Sequence, residues 1–181
     1  MKRVIFDTSI YGRIIESGEL SFVSDNMAEI LVNYGSVIVK RELKSYEGKR
    51  VVLHEGKVRK FRALLLEAYD ALVKTTYEVD ERTDRLAEEY FVAYEKLGGK
   101  KLRNEIVNDF LVVATAAIHE LEIVYTEEKD GSAKEGSART MRSPEALKAY
   151  EIINELNRLK LPQFKSYEEL KATLKSRRWF A

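Results

Sequence analysis

The chain has 181 residues, 45% of them hydrophobic, which describes one domain of ordinary size, or one with a terminal extension, able to bury a real core. No run of about 18 apolar residues occurs, so no membrane span is predicted, and the absence of cysteine with only two histidines excludes disulfides, thiolate catalysis, cysteine-ligated zinc and a histidine-rich metal site. Lys and Arg number 31 against 30 Asp and Glu, a formal charge of +1, which by itself selects no partner.

The opening MKRVIFDTS holds Val4-Ile5-Phe6, a short apolar run ended by Asp7, and reads as a buried strand of a parallel sheet. The run is too short for a signal peptide, so a cytoplasmic protein is expected. Gly12 and Gly18 loosen the next segment into a loop or short helix. Met27, Ile30 and Leu31 recur at helical spacing and predict a helix over 24–34 with Ser24 as its N-cap. Gly35 ends it, and Val37-Ile38-Val39 supplies a second strand. A short helical piece over 41–46 and a loop around Gly48 follow.

A long amphipathic helix over 57–74 carries Phe61, Leu64, Leu65, Ala68 and Leu72 on one side. Another, over 81–97, has Asp80 as cap and Gly98-Gly99 as terminator. FLVVATAAI, residues 110–118, is apolar or small on every face and predicts a central helix, opened by Asp109 and leading to a third strand at Ile123-Val124-Tyr125. Residues 127–143 hold almost no large apolar side chain and read as an exposed loop. Ser143-Pro144 starts a helix to about Leu159, 161–164 reads as a short edge strand, and Ser166 with Glu169 forms a capping box for a last helix. Strands alternating with helices imply right-handed crossovers and an α/β fold, a three-layer α/β/α Rossmann-like domain with a central parallel sheet.

In such a fold the polar residues that matter stand beyond the carboxyl ends of the strands. Asp7 follows the first strand, Glu42 lies three residues past the second, and Glu127, Glu128 and Asp130 follow the third, while Asp109 opens the helix before it. Carboxylates converging on one edge repel unless a hard divalent cation joins them, and all-oxygen ligation suits Mg²⁺ or Mn²⁺. Such an ion activates a water and stabilises charge on a phosphate under in-line attack.

VIFDTSIY, VIVKRELK and NDFLVVATAAIHELEIVYTEEKD together resemble the PIN-domain ribonucleases, the family that includes VapC-like toxins. The resemblance covers roughly residues 1–130, with its motifs in order. It implies a PIN-like nuclease core over 1–143, with 144–181 as a C-terminal helical extension packed on the same domain. It further implies that Asp7, Glu42 and Asp109 are catalytic metal ligands, that Thr8 or Ser9 orients Asp7, and that the fourth acid is Glu128 or Asp130. The family usually has Asp two residues after the strand-three Thr126; here that place holds Glu128. The implied activity is a Mg²⁺- or Mn²⁺-dependent endoribonuclease acting on single-stranded or structured RNA through a metal-activated water. A homodimer and an antitoxin-like protein are further expected partners. The alternative is a PIN-fold module that binds RNA or protein without cutting. A haloacid-dehalogenase-type phosphatase also has Asp after its first strand, but it needs a second Asp where this chain has Ser9.

Other polar residues have plainer readings. Asn108 reads as a helix cap, and His54 and His119 as packing or surface residues. Lys40, Arg41, Lys44, Lys49 and Arg50 cluster around Glu42 in sequence and are candidates either for phosphate binding or for a solvated face. Arg177, Arg178, Trp179 and Phe180 read as a tail docked on the body or on a second subunit. Tyr90, Phe91 and Tyr94 are read as an exposed apolar patch suited to dimerisation.

Overall fold

The computed structural model describes residues 1–54, 56–127 and 141–176. In chain order its elements are β1 (Lys2–Phe6), α1 (Thr8–Glu16), α2 (Leu20–Met27), β2 (Leu31–Ser36), α3 (Val37–Ser45), β3 (Val51–His54), β4 (Lys57–Lys60) and α4 (Phe61–Leu72). There follow β5 (Thr76–Tyr77), α5 (Glu81–Lys96), α6 (Arg103–Ile118), β6 (Ile123–Tyr125), α7 (Pro144–Leu156), β7 (Gln163–Lys165) and α8 (Tyr167–Lys175).

Five strands form one parallel sheet in the order β5-β2-β1-β6-β7, and β3 pairs with β4 in a separate antiparallel ribbon. Parallel strands need crossovers, and right-handed crossovers fix the side on which each helix lies. The chain steps from β1 to β2 and then β5 in one direction, which puts α1 to α4 on one face. It then returns past β1 to β6 and β7, which puts α5 to α7 on the other. The packing follows: α1, α3 and α4 touch one another, and α5 packs on both α6 and α7. The result is the expected three-layer α/β/α domain. Val4, Ile5 and Phe6 are fully buried at its centre, with the Phe6 ring edge-on to Tyr125 at 5.5 Å.

Residues 144–176 are built into this sheet. The helix α7 begins with Ser143 Oγ accepting from the Ala146 N–H at 3.2 Å and Pro144 in first position. The short strand β7 pairs with β6 in register Val124↔Phe164. The capping box is formed: Ser166 Oγ accepts from the Glu169 N–H, and Glu169 Oε2 accepts from the Ser166 N–H at 2.8 Å.

Several local expectations are corrected. Residues 31–36 form the second strand of the chain, and Val37-Ile38-Val39 is the first turn of a helix. Ser36 Oγ accepts from the Ile38 N–H at 3.2 Å, and Ile38, Val39 and Leu43 are buried at helical spacing. A cap and a buried stripe outweigh the β preference of three branched residues. Ser24 is inside α2 and caps nothing. Gly35 ends no helix; it sits within β2, where a Cβ would overlap the Tyr69 hydroxyl, so the sheet approaches α4 as closely as only glycine allows.

The helix predicted from residue 57 starts at Phe61, because the preceding residues form the β3–β4 ribbon, turned at Gly56 with φ +75°. The apolar stripe from Phe61 to Leu72 lies wholly in α4, so nothing apolar holds 57–60 in that helix. Conversely, α6 begins six residues earlier than Asp109, because Ile106 continues its buried face and Glu105 Oε2 accepts from the Leu102 N–H at 2.8 Å. Asp109 therefore stands in the second turn and opens nothing. The proposed dimer patch is core: Tyr90 and Tyr94 are 0% and 2% exposed and their rings pack edge-on to Phe110. Among the described residues no helix is long and apolar enough to cross a membrane.

Candidate metal centre

The sheet reverses its direction of growth at β1, and α/β sheets open a crevice beyond the carboxyl ends of the strands at such a switch point. Asp7 is the first residue past β1 at that place. Its N–H donates to the Tyr125 carbonyl of β6 at 2.9 Å, which fixes it across the reversal. Although it occupies the N-cap position of α1, its side chain makes no capping bond. Instead Oδ2 accepts from Ser9 Oγ at 2.9 Å and from Thr126 Oγ1 at 3.0 Å. Both donors are neutral, so they orient the carboxylate without cancelling its charge. The side chain is only 8% exposed.

Beneath it, Asn33 of β2 is buried and satisfied: Oδ1 accepts from the Phe6 N–H at 3.1 Å and Nδ2 donates to the Tyr11 hydroxyl at 3.0 Å. Burial pushes the Tyr11 phenol far above its ordinary pKa, so it stays protonated.

Glu42 is the sixth residue of α3 and half-buried; it belongs to the second turn of that helix, one turn later than expected. Its Oε2 accepts from Thr8 Oγ1 at 2.5 Å and its Oε1 from Asn108 Nδ2 at 2.7 Å. Ser9 is thus the residue that orients Asp7, and Thr8 serves Glu42. Asn108 is no cap, since it lies inside α6 and reaches from one helical layer to the other over the sheet edge. Asp109, half-buried, is the next residue on that helix. The structure therefore links Asp7 to Glu42 through Thr8, and it is Asn108, the residue before Asp109, that reaches Glu42 from α6.

Glu128 and Asp130, the two candidates for the fourth acid, lie outside the described residues, as do Arg177, Arg178, Trp179 and Phe180. Glu127 is described and turns toward α8. Its N–H donates to Ser9 Oγ at 3.0 Å, its Oε1 accepts from the Tyr167 N–H at 2.8 Å, and its Oε2 is 4.0 Å from Arg13 Nε. The Tyr167 hydroxyl in turn donates to Glu19 Oε2 at 2.6 Å, with Lys171 Nζ 3.1 Å from Oε1. Burial opposes ionisation of Glu19, but these bonds and one from Ser17 outweigh it and hold the carboxyl below its usual pKa.

Carboxylate and hydroxyl oxygens fit a hard divalent cation in kind. Among the described residues, however, no three Asp, Glu, His or Cys side chains form a group able to hold a metal ion. Mg²⁺ ordinarily takes one or two protein carboxylates and keeps several waters; Asp7 and Glu42 are carboxylates of that kind, and they are not gathered with a third into a closed cage. His119 stands ten residues further along α6, roughly 15 Å by helical rise, and stacks on Tyr77 at 3.7 Å; His54 is on the ribbon. Of the basic residues near Glu42 in sequence, Lys40 pairs with Asp70 at 3.0 Å and Arg50 with Glu16 at 2.7 Å, while Arg41, Lys44 and Lys49 are exposed.

The chain matches no protein-family model, no curated protein and no solved structure.

Proposed function

We propose that the protein is a Mg²⁺- or Mn²⁺-dependent endoribonuclease of the PIN type, hydrolysing phosphodiester bonds of RNA. One observation carries this reading: two carboxylates, Asp7 and Glu42, held by separate hydroxyl and amide donors at the switch point of a parallel sheet, with Asp109 on the adjoining helix. Such oriented acids have no purpose in the core and face the place where an α/β sheet receives a ligand. Asp7, Glu42 and Asp109 would hold the ion, joined by Glu128 or Asp130. When bound, a divalent ion lowers the pKa of a water and offsets charge developing on the phosphate. The protein's own part is positioning: Ser9 and Thr126 keep Asp7 aimed, and Thr8 and Asn108 keep Glu42 aimed. No protein nucleophile is required. The test is incubation of the purified protein with Mn²⁺ and a mixed RNA pool, with a chelator control. Wild type cleaves and Asp7→Asn does not; equal cleavage by both, or none by wild type, overturns the reading.

A specific observation favours a second reading, a PIN-fold module that binds RNA or protein without cutting. Both oxygens of Glu42 already accept hydrogen bonds from Thr8 and Asn108, and the described acids form no three-ligand group. Under that reading RNA is bound and left intact in the same assay.

A further inference from the structure

We propose that the β3–β4 ribbon is an arm that docks the phosphate backbone of RNA beside the metal centre. The segment 49–62 carries six basic residues against one acidic, in a chain whose formal charge is +1. Two of the six are spent internally: Arg50 pairs with Glu16 and Arg59 with Glu67. Lys49, Lys57, Lys60 and Arg62 are exposed and have no acidic partner among the described residues. They stand on β4 and at both roots of the ribbon, so they form a line of charge, which complements a chain of phosphates better than a single anion.

The register Val51↔Lys60 and Leu53↔Val58 puts Val51, Leu53, Val58 and Lys60 on one face, while His54↔Lys57 puts Lys57 on the other, so the ribbon carries charge on both faces. Val51, Leu53 and Val58 are 55%, 75% and 73% exposed. A two-stranded ribbon is marginal alone, and an apolar face of this kind signals a partner. A second copy of the chain would bring like charges together, which disfavours self-association. The aliphatic side chains beside Lys60 can lie against the sugars of a strand whose phosphates Lys60 and, from the other face, Lys57 hold. The place is also apt: Tyr46, four residues after Glu42, accepts a hydrogen bond from Arg50 at the root of the ribbon at 3.1 Å, about one helical turn from the candidate site.

This inference rests on RNA being the substrate, so binding is measured without turnover. The probe is a labelled single-stranded RNA of about 20 nucleotides, titrated in chelator against wild type, Lys57→Glu/Lys60→Glu, and a control, Arg158→Glu/Lys160→Glu, at the opposite edge of the sheet. The ribbon variant is expected to bind more than about tenfold more weakly, with a salt dependence shallower by roughly 1.4 in log–log slope for two lost phosphate contacts. The control is expected to bind like wild type, and unchanged thermal melting excludes a folding defect. Unchanged RNA affinity in the ribbon variant, the result expected of a protein-docking face, overturns the proposal, and so does an equal loss in the control. Should wild type bind in this way yet never cleave, the nuclease reading falls while the docking arm stands.

Discussion

The two carboxylates at the switch point are held in opposite ways. Asp7 is nearly buried, and its partners are close in the chain or on the neighbouring strand: Ser9, Thr126 and the Tyr125 carbonyl. The sheet itself sets its position, because the Thr126 N–H donates to Lys165 of β7 at 2.9 Å. Glu42 is half-buried on a helix, and its partners come from two other helices, Thr8 of α1 and Asn108 of α6, on opposite layers. Its place depends on how α3 docks, and α3 leads into the projecting ribbon. An acidic pair built this way has one fixed carboxylate and one whose geometry follows a tertiary contact. Asp7 is the anchor, and Glu42 is the adjustable member.

The largest effect should separate these two directly. Asp7→Asn is expected to lower Mn²⁺-dependent RNA cleavage by well over a hundredfold, beyond the roughly 10–100-fold range of residues that only support a ligand. Glu42→Gln keeps one hydrogen-bond acceptor and turns the other into a donor, and should cost less, some tens of fold. Initial rates at saturating metal give the comparison. A larger loss for Glu42→Gln would reverse the assignment of anchor.

The supporting groups come next. Ser9→Ala removes a donor to Asp7 and the acceptor of the Glu127 N–H together, whereas Asn108→Ala removes one bond to Glu42. Calorimetric titration with Mn²⁺ should show affinity lower by at least about tenfold for Ser9→Ala and by less for Asn108→Ala. Equal affinities in both variants and wild type would mean that these bonds hold the fold and not the site.

The same contrast decides what could be read from the sequence. Asp7 was legible because its cause is local: a short apolar strand, then an acid, then small hydroxyl residues. The cap at Asp80, the Ser143-Pro144 start and the Ser166–Glu169 box were legible for the same reason, since each lies within four residues of its partner. The surroundings of Glu42 were not. Its strand was placed at 37–39 and not 31–36, because a buried Asn33 interrupts the apolar pattern of the true strand while β-branched residues fill the first turn of α3. Asn108 looked like a cap because its partner is 66 positions away in the chain. The ribbon escaped notice since half of each strand faces solvent without polar alternation, with Leu53 and Val58 exposed. Tyr90 and Tyr94 looked available because their covers are distant in sequence: Tyr150 of α7 lies 4.9 Å from Tyr90, and Phe110 of α6 lies 5.7 Å from Tyr94.

A smaller effect probes the tie between the Asp7 corner and the C-terminal helix. Glu127 accepts from the Tyr167 N–H, the first of α8, and so acts as a cap supplied from outside the helix. Glu127→Ala should cost about 1 kcal/mol, as the loss of an N-cap does, or roughly 2–4 °C in Tm for a chain of this size. Its backbone N–H still serves Ser9, so Mn²⁺ affinity should stay near wild type. A large loss of metal affinity in this variant would show that α8 controls the site and that Asp7 is less self-sufficient than its local contacts make it.

The smallest effect lies outside both corners and separates fold from site. Burial holds the His119 imidazole below its ordinary pKa near 6.5, aided by Arg3 and Arg82 and opposed by Asp80. A depressed folded-state value means the unfolded chain takes up the proton more readily. The stability this group contributes is therefore fully present above pH 6.5, about the unfolded value, and declines as pH falls toward and through the folded one. His119→Phe keeps an aromatic ring to stack on Tyr77 but cannot titrate. Melting temperatures recorded from about pH 7.5 to about pH 5.5 should fall more steeply for wild type than for His119→Phe. Parallel curves would assign the acid sensitivity elsewhere, with Glu19 the next group to test, since its lowered pKa gives a loss at still lower pH. Because His119 sits at the far end of α6 from Asn108 and Asp109, Mn²⁺ affinity at neutral pH should be the same in both proteins, and this result would separate the foot of that helix from its role at the site.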